Sequence, residues 1–126
     1  MHILPIYAAL LTLLFVFLSI RTIKARRRAQ IAIGSGASPE LNRAMRVHAN
    51  FAEYVPLGLL LIYLVEMQSA ASWFVHVLGL LLLVGRLLHA YGVSQTRENF
   101  KFRVSGMMMT FGSLLLSALF LLYHAL

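Results

Sequence analysis

Five residues at helical spacing carry the clearest chemical potential of this sequence: Arg43, Arg46, Asn50, Glu53 and Tyr54. At about 100° per residue the first four fall within an arc of about 80°, with Tyr54 at its edge and His48 on nearly the opposite side. Two guanidinium groups, an amide and a carboxylate on one stripe suit a zwitterionic ligand. Arginine would take a carboxylate, glutamate an ammonium and asparagine an amide. A plainer reading is that these groups only satisfy one another against neighbouring helices. Arg46 and Glu53 lie seven residues apart, too far for direct pairing along a helix. From the residues alone both readings stand.

Arg86 and His89 follow at i, i+3, on one face of a later helix. An arginine there can snorkel to headgroups, and a histidine can serve as an interhelical hydrogen-bonder. Arg103 is a topology charge or, on a functional reading, an electrostatic clamp that favours the ionised form of a nearby thiol. Arg26, Arg27 and Arg28 read as a lipid-facing charge run from which one member can reach a pocket. Met107, Met108 and Met109 read as gap-filling packing. No metal is expected, because His and Arg at this spacing are not a zinc ligand set. The chain has no cysteine, which excludes a disulfide, a thiol nucleophile and a thiolate-bound metal.

The elements that must position these residues are membrane helices. Of 126 residues, 60% are hydrophobic and 12% charged, against about 25% charged in an ordinary soluble domain; mean hydropathy is +0.81. A soluble domain this small could not bury so much apolar surface. A disordered chain and a disulfide scaffold are excluded too. Four spans are expected, at about 3–20, 39–66, 73–92 and 104–123. The uncharged run Ile3–Ile20 has no basic segment before it and no small-residue cleavage site after it, so it reads as a retained span. Arg21–Arg28 and Gly34–Ser38 read as the longest non-apolar connection. Ser38-Pro39-Glu40 then starts a helix: a capping hydroxyl, a proline at the first position and an acid facing the positive end of the dipole. That helix would be about 40 Å long, so its polar half lies near one headgroup region. Pro56 is expected to kink it.

Eleven Lys and Arg against four Asp and Glu give +7, and their placement favours topology over nucleic acid binding. Seven basic residues lie between Arg21 and Arg46, three between Arg97 and Arg103, and Arg86 near the same end. The opposite ends hold none. Both termini are therefore expected outside and both basic loops in the cytoplasm. Trp73 and Tyr123 fit an outer aromatic belt; Tyr91, Phe100 and Phe102 fit an inner one.

The segment Arg43-Ala-Met-Arg46-Val-His48-Ala-Asn50-Phe-Ala-Glu53-Tyr54-Val-Pro56-Leu57 resembles the second-helix signature of the MAPEG family, the membrane-associated proteins in eicosanoid and glutathione metabolism. Gly85-Arg86-Leu-Leu-His89 resembles the third-helix pattern of that family's prostaglandin E synthase branch. The resemblance covers essentially the whole chain and is closest to small bacterial inner-membrane members. It implies an all-α integral membrane four-helix bundle, assembled as a homotrimer, with glutathione as co-substrate in a cytoplasm-facing pocket between subunits. Arg46, Asn50 and Glu53 would hold glutathione, supported by Arg43 and Tyr54, with Arg86 and His89 lining the pocket. Arg103 best matches the arginine that activates the thiol, and Arg26 or Arg27 the basic residues ending the first helix.

Lipophilic electrophiles would enter from the lipid, the activity being that of a glutathione transferase or peroxidase. Other outcomes are a non-catalytic lipid-binding or scaffold member of the same fold, and a small multidrug exporter. Such exporters resemble a type with an acid in the first span, and Ile3–Ile20 has none. Departures are Val93 where some branches of the family carry a second third-helix tyrosine, Val104 after Arg103 where the prostaglandin branch has serine, and a different loop length before Arg103. Eicosanoid synthesis is therefore not implied.

Overall fold

The computed structural model describes residues 2–126. They form four helices: α1 (Leu4–Ala29), α2 (Pro39–Met67), α3 (Ser72–Ser94) and α4 (Phe100–Ala125). Each is long and apolar enough to cross a membrane.

The expected spans are all present, and two of them extend further as helix. α1 continues through Arg21–Arg28, so that basic segment is helical and only 30–38 connects it to α2. The run contains no glycine or proline, and Arg, Lys and Ala are good helix formers. Its three terminal arginines also lie at the negative end of the helix dipole. Gln30 closes the helix in the left-handed conformation, at φ 54°. α4 begins at Phe100, capped by the Asn99 side chain accepting from the Lys101 amide at 3.0 Å. Lys101 and Arg103 thus belong to its first turns rather than to a loop. α2 starts as its sequence indicates, with Ser38 Oγ accepting from the Leu41 amide at 3.2 Å. It stays helical on both sides of Pro56.

α2 and α3 form the centre of the bundle; α1 and α4 each lean on both of them from opposite sides. The Glu66 carboxylate at the end of α2 accepts from the Ile3 and Leu4 amides, capping α1 from a distant part of the chain. Phe74 of α3 meets Phe120 of α4 at 5.2 Å. These contacts put the N-terminal end of α1 and the C-terminal end of α4 at one end of the bundle. The basic segments gather at the other. Trp73 and Tyr123 lie exposed at the first end; Tyr91, Phe100 and Phe102 lie exposed at the second.

The most intimate helix pair is α3 with α4. Gly106, Thr110, Ser113 and Ser117 recur at i, i+4, i+7 and i+11 and are all buried on one face of α4. Small side chains let membrane helices approach until backbone meets backbone. A Cβ on Gly106 would come within 2.6 Å of the Gly85 carbonyl oxygen and of the His89 amide nitrogen. Ser113 Oγ donates across the contact to the Leu78 carbonyl at 2.9 Å. This seam fixes α3 against α4, and the polar groups described next sit on it.

Candidate functional site

The polar residues form two clusters at different depths. The outer one lies at the basic end, around a cavity of about 330 Å³ bounded by Arg43 and Arg46 of α2, Val93 of α3, Glu98 of the α3–α4 loop and Arg103 of α4. Arg43 Nη1 donates to Glu98 Oε2 at 3.0 Å and to the Val93 carbonyl at 2.9 Å. Arg103 Nη1 donates to Glu98 Oε1 at 3.3 Å. The Glu98 side chain is only 6% exposed. Burial works against its ionisation, but the hydrogen bond from Arg43 and the charges of Arg103 and Arg43 outweigh it, holding the carboxyl below the usual carboxylate range. Arg46 lines the same cavity and has no ion-pair partner among the described residues.

The inner cluster surrounds Arg86, which is 2% exposed. Its Nε and Nη2 donate to Thr110 Oγ1 at 3.0 and 2.7 Å, Nη1 donates to Asn50 Oδ1, and Nη2 reaches Met107 Sδ at 3.2 Å. The guanidinium carbon lies 5.7 Å from the centre of the Tyr54 ring, which adds a cation–π contact. Thr110 spends its own proton on the Gly106 carbonyl at 2.8 Å, leaving its lone pairs to the arginine. Among the described residues Arg86 has no carboxylate partner. A cation in a membrane interior is thus held by neutral acceptors alone, an arrangement that favours an incoming anion. His89 is buried one turn further along α3, its backbone against Gly106.

The α2 stripe is therefore real but divided. Arg43 and Arg46 serve the outer cavity, while Asn50 and Tyr54 serve Arg86. Glu53 joins neither: it is exposed on the outside of the bundle, with no ion pair among the described residues. His48 faces away, as its angle requires, hydrogen-bonded to Ser19 Oγ at 3.0 Å and stacked on Phe15 at 4.9 Å. Arg86 does not snorkel. Neither Arg26 nor Arg27 lines the outer cavity. Arg26 donates to the carbonyls of Ile31 and Gly34 at 3.3 and 2.8 Å, tying down the α1–α2 connection, and Arg27 is exposed.

Two residues of the clusters, Glu98 and Thr110, do not stand out in the sequence. Glu98 is one of only four acidic residues in a chain with eleven cations, so each acid was worth following to a partner. Thr110 carries a signal in its place on the small-residue stripe of α4.

A short bundle of four membrane-crossing helices, with arginines from α2, α3 and α4 and an asparagine of α2 assembled toward one end, defines a class of small polytopic membrane proteins. Within that class the chain belongs to the MAPEG family, whose family model matches residues 4–123. It is similar to the inner membrane protein YecN of Escherichia coli K12, with 39% identity over 119 residues, 94% of this chain and 89% of that protein. YecN of Escherichia coli O6:H1 strain CFT073 matches to the same extent.

Proposed function

We propose that this MAPEG family member is a glutathione-binding protein of the inner membrane, acting as a glutathione transferase or peroxidase on lipophilic electrophiles. The observation that carries the reading is the convergence of Arg43, Arg46 and Arg103 on one cavity, with the Asn50–Arg86–Tyr54 cluster beginning one turn further along α2. Glutathione brings two carboxylates, an ammonium, two amides and a thiol. The arginines answer the carboxylates, and Asn50 answers an amide. Glu53 answers the ammonium across a boundary between subunits. The exposure of Glu53 on a membrane helix supports a homotrimer, since a carboxylate facing lipid is costly and a second copy removes the cost. The clustering of cations at one end supports cytoplasmic basic loops.

In this reading Arg103 stabilises the thiolate, which attacks an electrophile arriving from the lipid. The guanidinium lowers the thiol pKa from about 8.5 and pre-orients positive charge where negative charge must be held. Arg86 and His89 lie buried deeper on α3 and would support the pocket from behind rather than line it. The purified protein, assayed with glutathione and chlorodinitrobenzene, should turn over, and Arg103→Ala should lose about 10²-fold in rate. An unchanged rate in that variant removes Arg103 from the mechanism. A second reading, binding without turnover, draws on the pairing of Arg103 with Glu98. Heat of glutathione binding with no product from a panel of electrophiles would select it.

A further inference from the structure

The outer cavity contains a carboxylate of its own. Glu98 bridges Arg43 of α2 and Arg103 of α4, one oxygen to each, and is nearly covered. The segment that carries it has little else to hold it. Gln95, Thr96, Arg97 and Asn99 are all exposed, and apart from the Asn99 cap on α4, Glu98 is the side chain that ties residues 95–99 to the rest of the bundle among the described residues. Meanwhile Arg46 stands in the same cavity unpaired. Three guanidiniums face one carboxylate, leaving a net charge of +2 in a space of about 330 Å³.

We infer that Glu98 is the resident occupant of a carboxylate seat between Arg43 and Arg103, and that an anionic ligand binds by displacing it and releasing the α3–α4 loop. This deepens the function proposed above and rests on it for the identity of the natural ligand. The seat selects oxyanion-bearing compounds, a carboxylate being the group it already holds, because an occupant must bring one acceptor oxygen to each arginine to replace both hydrogen bonds that Glu98 makes. A dicarboxylate is favoured further, since Arg46 remains free for its second group. Glu98, tethered beside the seat, competes at an effective concentration in the millimolar range. Weak or uncharged occupants are thereby kept out, and the apparent affinity of the true ligand falls by the fraction of time the seat is open.

The absence of cysteine permits a clean test. Thr96→Cys, exposed beside Glu98, takes a thioether-linked trifluoromethyl label whose ¹⁹F line width reports loop mobility in the detergent-solubilised full chain. Saturating glutathione should narrow the line at least two-fold, and calorimetry should show Glu98→Gln binding glutathione at least ten-fold more tightly than the unsubstituted protein. If glutathione binds while the line stays unchanged or broadens, Glu98 keeps its place and the inference fails, though the glutathione assignment survives. If glutathione gives no heat, the same line is measured with glutarate at millimolar concentration. Narrowing then preserves the seat and discards the tripeptide; no narrowing discards both.

Discussion

Gly106 joins the fold to the site, and Gly106→Ala measures how tightly. A Cβ there would stand 2.6 Å from both the Gly85 carbonyl oxygen and the His89 amide nitrogen, and 2.9 Å from the His89 Cα. All three are backbone atoms, so no rotamer change can make room. Restoring an ordinary contact of about 3.4 Å requires α3 and α4 to separate locally by about 0.8 Å. That displacement would lengthen the Arg86 Nε to Thr110 Oγ1 bond from 3.0 Å, and the Ser113 Oγ to Leu78 carbonyl bond from 2.9 Å, beyond hydrogen-bonding range, and would stretch the second Arg86–Thr110 bond, from Nη2 at 2.7 Å, to its limit. Overpacking costs about 1–3 kcal/mol, and the two bonds together about 2–4 kcal/mol. Against this stands a gain of about 1 kcal/mol from replacing glycine in a helix. The net loss is about 2–6 kcal/mol, or a fall in Tm of order 10 °C.

The matched control lies on the same helix. A Cβ on Gly112 would meet only Leu81 Cδ1, at 3.9 Å, an ordinary contact. Gly112→Ala should leave Tm unchanged or raise it by a few degrees. Thermal unfolding of both variants in one detergent, followed by circular dichroism at 222 nm, gives the comparison. Equal Tm values for the two would refute the claim that the seam is set by backbone contact. It would also show that Arg86 does not depend on that seam for its partners.

Two further outcomes follow from the outer cavity and the far end of the bundle. Because the folded-state pKa of Glu98 is depressed below its ordinary value near 4.5, its tie to Arg43 and Arg103, with His89 of α3 also near, stabilises the fold at neutral pH. That stability is lost as pH falls below 4.5 through the depressed value. A pH series of thermal melts should therefore show a steeper acid limb for the unsubstituted protein than for Glu98→Gln, and parallel limbs would contradict the pairing. Glu66→Ala removes the acceptor for the Ile3 and Leu4 amides at the start of α1, at a cost of about 1–2 kcal/mol. Hydrogen exchange should accelerate at the first-turn amides of α1 and nowhere in α4; unchanged protection would show that α1 does not need this cap.

What the sequence made legible is local in origin. Hydropathy and charge placement identify four spans, and the Ser38-Pro39-Glu40 start of α2 is correct to the residue because cap, proline and dipole act within one turn. The angular stripe on α2 is equally local. It fails to show that the stripe serves two places, because angle is only half of a position. Arg43 and Glu53 share an arc but lie about 15 Å apart along the axis, and neighbouring helices change over that distance. Arg43 consequently faces the α3–α4 loop, Asn50 faces Arg86, and Glu53 faces outward. Charge marks where α1 leaves the hydrocarbon but not where it ends, because Arg and Lys propagate helices well and carry α1 to Ala29.

The hidden part is long-range. Glu98 pairs with Arg43 across 55 positions of chain, and no periodicity links them. Counting acids recovers what periodicity cannot. The chain has four. Glu40 pairs with Arg28 on the surface, Glu66 caps α1, and Glu98 bridges Arg43 and Arg103. Only Glu53 has neither a charged partner nor an amide among the described residues, and it is the one set midway along a membrane helix and exposed. An acid left exposed midway along a membrane helix carries a cost that a neighbouring subunit would remove. In the proposed trimer that subunit would be a second copy, and the same α2 helix would offer cations to its own cavity and a carboxylate to its neighbour's.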